Sequence, residues 1–471
     1  MICILVVHPF EGWTFLMSTM KHLSITNRTT LLSLVFLGLG CFSTLAQNDG
    51  QMYGLIQSVD QNRLASDIET LANFGTRHTL SDTLSNTRGI GAARRWIKAE
   101  FDQISAQCGG CLEVFYQKSL VKKGTNERIF RDVWVVNVVA IQKGTDQPEN
   151  YIIMSGDIDS RISNPNNAVD DAPGANDNAS GMAGTLEAAR VLSRYKFANS
   201  IVYVGLSGEE QGLFGGKGLA QHALDQNWNI IGVLNNDMIG NTIGIDGVKD
   251  NRSFRIFSEP TPVTESEQER RARRFYGGEV DGVSRQLARY VYKTTKKFMP
   301  EMNPIMIYRL DRFGRGGHHR PFNDAGFTGI RIMEAHENYD QQHQDLRIEN
   351  EVNYGDRLQH VDMGYVKKLT AVNAINLAQL ADAPLAPVTV AISGMVAPST
   401  SLSWSAVDQA TAYRVYWRDT TAPHWQYSRL VNGATELTLE GIVIDNFLFG
   451  VASVGPNGHE SLVKFPNKVV R

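Results

Sequence analysis

Two loop signatures carry carboxylates in places where they can do chemistry. Pro173-Gly174-Ala175-Asn176-Asp177-Asn178-Ala179-Ser180-Gly181 puts Asp177 ahead of a helix-forming stretch, and Ser207-Gly208-Glu209-Glu210-Gln211-Gly212 puts adjacent glutamates after an apolar run. A third apolar run, Ile230 to Asn235, ends in Asn236-Asp237. Carboxylates at the ends of neighbouring strands suit a polyvalent cation and are rarely tolerated there unpaired. Singly, Asp177 reads as a helix cap, and Glu209-Glu210 or Asp237 as wet turns. Together, closing consecutive strands of one sheet, they point to a metal-dependent hydrolase.

The elements that must position these groups follow from hydrophobic periodicity. Ile90, Ala93, Trp96, Ile97 and Phe101 share one face of a helix expected over Arg88 to Ile104. Strands are expected at Val133 to Ile141, Tyr151 to Met154, Ile201 to Leu206, Ile230 to Asn235 and Gly329 to Met333. Helices are expected at Met182 to Leu192, around Gly218 to Leu224, at Val283 to Phe298 and at Val361 to Leu380. The charged stretch Glu265 to Arg274 reads as a solvated insertion or a helix start. Strands alternating with helices imply an α/β fold, a mostly parallel mixed sheet with helices on both faces. Past a Pro/Ala linker at 382–388 the helical pattern stops. Ser401 to Trp404, Ala412 to Trp417, Leu437 to Leu439 and Phe447 to Val454 alternate as short strands, which predicts a small all-β sandwich over 389–471.

A chain of 471 residues exceeds one compact core, so two domains are expected. A net charge of −3 without a basic stripe argues against nucleic acid or an acidic membrane as partner. Lys21 and Arg28, the apolar run Leu31 to Leu39, and Thr44-Leu45-Ala46 have the order of a secretory signal over 1–46, with a start at Met17 or Met20. The apolar run is short for spanning a bilayer. Export is therefore expected, to the periplasm or the medium, with the catalytic domain over 47–381. Cys3 and Cys41 fall in the signal, which leaves Cys108-Gly109-Gly110-Cys111 as an expected small-loop disulfide.

Four motifs in order, Gly156-Asp157-Ile158-Asp159-Ser160, Pro173 to Gly181, Ser207 to Gly212 and Asn236-Asp237-Met238-Ile239-Gly240, resemble the co-catalytic zinc aminopeptidases. That family includes the bacterial leucyl aminopeptidases, aminopeptidase Y and the glutamate carboxypeptidase relatives. The likeness runs from about Arg77 to Leu380. It implies Asp177 as the carboxylate bridging two zinc ions, Glu209 as general base, and Glu210 and Asp237 as ligands to one ion each. It also implies a late histidine ligand, which within Glu337 to Asp345 is His343, with Asp340 competing. Paired ions polarise a scissile carbonyl and acidify a shared water, and a base that does not itself ligate relays the proton. Gly316-Gly317-His318-His319-Arg320-Pro321-Phe322 resembles the family's substrate-side loop, which usually carries Asp-His. His319 is expected near the pocket, with an exposed histidine pair as the alternative. Trp404, Tyr413, Val415, the run from Phe447 to Val451 and Pro456-Asn457-Gly458 resemble a fibronectin type III module, with Phe447 in place of its corner tyrosine.

One departure matters. The family has a histidine two residues before the Asp159 position, and this chain has Asp157. Such a histidine binds metal through one nitrogen while the aspartate accepts from the other. Two carboxylates make no such bond unless one holds a proton, so Asp159 is expected to find a cation such as Arg161. If Asp157 ligates, its ion sees Asp157, Asp177 and Asp237, an oxygen shell that suits a harder ion than zinc. The expectation is two zinc ions of unequal affinity, the Asp157 site weak or taken by manganese. The alternative is one metal without Asp157. The expected function is a secreted metallo-aminopeptidase acting on peptides. The alternatives are a carboxypeptidase or glutaminyl cyclase-like enzyme on the same fold, or a pseudo-hydrolase whose sandwich contacts a surface or polymer.

Overall fold

Near-continuous apolar runs build the centre of the molecule, because a strand covered on both faces needs no polar side. In the computed structural model, which describes residues 49–277 and 281–470, the signal expected over 1–46 lies outside the described residues. Eight strands form one mixed sheet: β1 (Leu112–Val121), β2 (Val133–Gln142), β3 (Gln147–Asp157), β4 (Asn199–Leu206), β5 (Asn229–Asn236), β6 (Ser253–Ser258), β7 (Asn303–Ile307) and β8 (Gly329–Glu334). Their order is β1-β2-β4-β3-β5-β8-β6-β7. At the centre β4, β3, β5 and β8 run parallel. On one flank β2 and β1 are antiparallel; on the other, β6 opposes β8 and carries β7 parallel to itself.

Side chains alternate between the two faces of the pleat, and the packing follows that alternation. Ile152, Met154, Ile201, Tyr203 and Leu234 pack with helices α1 (Gln61–Ala72), α2 (Gly89–Gln107) and α3 (Gly181–Leu192). Ile153, Val202, Val204 and Val233 face the other way, toward helix α4 (Phe214–Asp225). The charged stretch becomes α5 (Glu267–Tyr276), which buries no residue and starts with a capping box between Ser266 and Glu269. Helix α6 (Val283–Phe298) and the last helix, α8 (Met363–Ala381), join the α1–α3 face, and the short α7 (His319–Asp324) joins α4 through Phe322. This is the expected α/β arrangement, helices on both faces of a mostly parallel mixed sheet. Cys108 and Cys111 are disulfide-bonded where α2 ends, as expected.

A two-stranded hairpin, β9 (Arg347–Glu349) with β10 (Val352–Tyr354), precedes α8. The C-terminal part contains β11 (Val390–Ser393), β12 (Thr400–Trp404), β13 (Ala412–Asp419), β14 (Tyr427–Asn432), β15 (Glu436–Leu439), β16 (Phe447–Val454) and β17 (Lys468–Val469). They form a four-stranded sheet, β15-β12-β11-β17, and a three-stranded one, β14-β13-β16. Leu402, Trp404, Val415, Phe449 and Val451 fill the space between them. The start of the expected linker is tied down: Asn199 Nδ2 donates to the carbonyls of Ala381 and Ala383, and the Ala198 N–H donates to Asp382. From Met52 onward the chain forms one compact unit. Among the described residues no helix is long and apolar enough to cross a membrane.

Candidate metal centre

The parallel strands end on one edge of the sheet, which is where an open α/β sheet holds its ligands. In register, Gly156 lies beside Gly205 of β4 and Asn236 of β5. Asp157 at the end of β3, Glu209 and Glu210 just past β4, and Asp237 just past β5 are therefore brought to one edge by pairing alone. Asp177 comes from the turn entering α3, and that turn lies tight on the sheet. A Cβ on Gly181 would stand 2.3 Å from the Asn236 carbonyl oxygen, and one on Gly156 would stand 2.4 Å from the Gly181 carbonyl carbon. Only glycine allows backbones to approach so closely. Asn178 pins the same turn, its Nδ2 donating to Asp157 Oδ2 at 2.8 Å and to the Asn236 carbonyl at 2.7 Å. Asp356 accepts from the backbone N–H groups of Asn176 and Asp177 at 2.8 and 2.6 Å. The Asp177–Asn178 peptide bond is cis.

Three of the expected ligands meet. His343 Nε2 lies 2.9 Å from both Asp177 Oδ2 and Glu210 Oε1. One ligand atom from each of Asp177, Glu210 and His343 lies within 4.8 Å of the others. Arg161 braces the group: its Nε donates to Glu210 Oε2 at 2.7 Å, and one of its terminal nitrogens stands 2.6 Å from His343 Nδ1. Gln342 donates from Nε2 to Asp177 Oδ2 at 3.0 Å. His343 adopts a left-handed backbone with φ of 58°. For a residue with a side chain this costs on the order of 1–3 kcal/mol, so the surrounding contacts must hold it. Burial works against charge on His343, but Glu210 and Asp177 outweigh it and raise its pKa to about 9. Burial likewise opposes ionisation of the two carboxylates, yet His343 holds Glu210 down at about 2 and Asp177 well below the usual carboxylate range.

The other expected residues take different partners. Asp157 receives a 2.5 Å contact from His318 Nδ1 on Oδ1, in addition to the Asn178 bond on Oδ2. Asp237 Oδ2 lies 2.9 Å from a terminal nitrogen of Arg331. The expected second donor set of Asp157, Asp177 and Asp237 is therefore not assembled as a cation shell. Asp159 is not paired with Arg161. It accepts instead from the backbone N–H groups of Glu209 and Glu210 at 3.2 and 3.1 Å and from the Thr79 hydroxyl, because the Glu209-Glu210 turn folds back over it. His319, expected on the substrate side, is fully buried with Nε2 2.7 Å from the Leu310 carbonyl, since α7 turns it under the loop. Asp340 is not part of the Asp177, Glu210 and His343 group; its backbone N–H donates to Asn338 Oδ1 at 3.0 Å. Burial lifts Asp157 to about 8 and Asp237 to about 7, in both cases against the pull of Arg331. Arg331, His318, Asn178 and Gln342 were outside the expected site. For Arg331 a signal was present, a single charge inside the apolar strand Gly329-Ile330-Arg331-Ile332-Met333.

Glu209 lines a cavity of about 400 Å³ together with Glu210 and His343. Its pKa is raised strongly, chiefly by burial and then by Glu210 and Asp237. Zinc in catalytic sites takes three nitrogen or oxygen ligands and keeps one position open. One imidazole and two carboxylates converging at an open pocket fit that requirement, and a cation there would take the place of the proton that the carboxylates otherwise stabilise on His343.

Comparison with known proteins agrees. The description "Peptidase family M28" matches residues 137–362. A probable zinc metalloprotease of Pyrenophora tritici-repentis (strain Pt-1C-BFP) is 38% identical over 423 residues, which cover 89% of this chain and 98% of that protein. Another from Leptosphaeria maculans is 39% identical over 420 residues, covering 88% and 96%. Among solved structures, the LapA aminopeptidase of Legionella pneumophila aligns over 71% of this chain and 74% of its own, with a TM-score of 0.50 at 17% identity. LapB of the same organism aligns over 70% and 75%, with a TM-score of 0.50 at 16% identity. At those identities the two structures speak for the fold alone. Fold and site together define a zinc-dependent metallopeptidase. The chain belongs to peptidase family M28.

Proposed function

We propose that this protein is an exported exopeptidase that removes single residues from the amino ends of peptides. The observation that carries the reading is the meeting of Asp177, Glu210 and His343, the last two lining one pocket with Glu209. Asp177, Glu210 and His343 would hold a zinc ion, which would supply Lewis acidity to polarise the scissile carbonyl and acidify a water. Glu209, whose proton affinity is raised by its surroundings, takes the proton of the attacking water and delivers it to the leaving amine. Asp159 fixes the backbone of Glu209 and Glu210, so base and ligand keep a constant spacing. Aminoacyl anilides test this. Glu209→Gln is expected to lower kcat by roughly 10²- to 10⁴-fold while zinc content stays unchanged. A variant with wild-type kcat would remove Glu209 from the mechanism.

A second reading has its own support. The pocket wall carries Arg128, Arg161, Lys217, Arg315 and Arg320 against the carboxylates of Glu209, Glu210 and Asp324. Five cations facing three anions attract a substrate carboxylate and repel an ammonium. In an aminopeptidase this wall favours acidic side chains next to the scissile bond; in a carboxypeptidase it takes the terminal carboxylate itself. Peptides with free or blocked ends, analysed by mass spectrometry, separate the two. An acetylated peptide cleaved at its free carboxyl end would establish the carboxypeptidase. Export follows from the signal-like order of residues 1–46, and mature protein from the medium should begin near Gln47. The terminal sandwich, read as a fibronectin type III-like module, would make the surface or polymer contact.

A further inference from the structure

The geometry points to a site that holds one zinc ion, with the guanidinium of Arg331 held against Asp237, the residue to which the family pattern gives a second cation. This rests on the reading of Asp177, Glu210 and His343 as the zinc site. β8 pairs in parallel with β5, Arg331 opposite Asn235, so its side chain leaves the sheet beside Asp237. Arg331 is fully buried. One terminal nitrogen contacts Asp237 Oδ2 at 2.9 Å and the Asp237 carbonyl at 3.2 Å. The other lies 3.0 and 3.1 Å from the two oxygens of Asp311 and 3.1 Å from the Gly316 carbonyl. Room for this comes from Gly317, where an added Cβ would sit 3.2 Å from both the guanidinium and Asp311.

Arginine cannot shed its proton to make way for a metal. A second ion bound by Asp237 would therefore have to lie against a fixed positive charge and disturb a network of five acceptor atoms around it. Asp157 is equally committed. Its two oxygens face His318 Nδ1 and Asn178 Nδ2, and His318 is fully buried. The family pattern has a histidine at the Asp157 position and an acid at the His318 position. This chain carries the same two residue types in exchanged places, and they touch. Asp157 then serves as the partner that orients a buried imidazole, and Asp237 as the partner of a buried guanidinium. Arg331 is a positioning residue: it holds the end of β5 at the edge of the zinc site without occupying the zinc's own ligands.

Metal content tests the inference without reference to turnover. Full-length protein is equilibrated with excess zinc, freed of unbound metal and assayed by elemental analysis. One zinc per chain is expected for the wild type, one for Asp237→Asn, and close to none for Glu210→Gln. Two tight zincs in the wild type, falling to one in each variant, would overturn the single-ion site while leaving the Asp177, Glu210 and His343 assignment intact. A wild type that binds none would instead sink that assignment, and the inference with it. Zinc retained by Glu210→Gln would also overturn the inference, because it would reveal a site that does not depend on Glu210.

Discussion

Gln342 shows how little separates a ligand from a loop residue. It neighbours His343 in sequence and donates to Asp177 Oδ2 at 3.0 Å, so it orients one carboxylate of the proposed metal site. Outer partners of this kind typically contribute 10- to 100-fold to metal affinity. Gln342→Leu, nearly equal in size, is expected to weaken zinc binding by roughly 10- to 100-fold in competition with a chromophoric chelator, with little change in fold. Unaltered affinity would make Gln342 a bystander. The residues legible in the sequence were those with local context. Asp177, Glu209 and Glu210 stand in Gly-rich turns after apolar runs, and His343 stands in a polar loop of the right position. The pairings Asp157 with His318 and Asp237 with Arg331 were not legible, because each joins residues more than 90 apart whose meeting depends on strand order. Arg331 beside Asp237 follows from β8 lying against β5, and no spacing in the chain states that.

At the scale of elements, α6 works on two sides. Leu287, Ala288 and Val291 pack toward the large sheet. Arg289 and Lys293, on its other side, reach the terminal sandwich. Asp281, just before the helix, accepts from Arg289 at 3.0 Å and from Arg418 of β13 at 2.5 Å, and all three side chains are almost fully buried. Removing the shared anion would leave two guanidiniums buried side by side. Loss of one member of a buried ion group costs about 3–5 kcal/mol. Asp281→Ala is expected to be destabilised by roughly that amount in urea unfolding; a loss below about 1 kcal/mol, the range of exposed pairs, would mean that water reaches the group. The same contrast explains which elements could be read beforehand. β4 is buried at every position and announces itself as an apolar run. Edge strands do not: β1 alternates with exposed polar residues, and β7 begins Asn303-Pro304, a pattern that resembles a loop. Their strand character comes from the neighbour they pair with.

Across the whole molecule, a second ion group ties the C-terminal sheets to α6, and pH should act on it. Lys293 of α6 lies 2.6 Å from Glu460 Oε2, and Arg414 of β13 lies 2.8 Å from Glu460 Oε1. Tyr416 adds its hydroxyl to the same carboxylate. Burial pushes Glu460 up, but Lys293 and Arg414 outweigh it and hold its pKa at about 2, against an ordinary 4.5. A carboxylate whose pKa falls on folding stabilises the folded state above its unfolded value. That contribution is lost as pH drops from about 4.5 to about 2, where the folded protein must finally take up the proton. The difference corresponds to roughly 3 kcal/mol at neutral pH. Glu460→Gln should therefore melt at a lower temperature at pH 7 and lose less on acidification, so that its curve of Tm against pH is flatter than the wild type's below pH about 4.5. Because the group ties α6 to β13, both parts should unfold in a single calorimetric transition in the wild type. Two resolved transitions in the wild type, or parallel pH curves for the two proteins, would show that the C-terminal sheets are not coupled to the large sheet and its helices through Glu460.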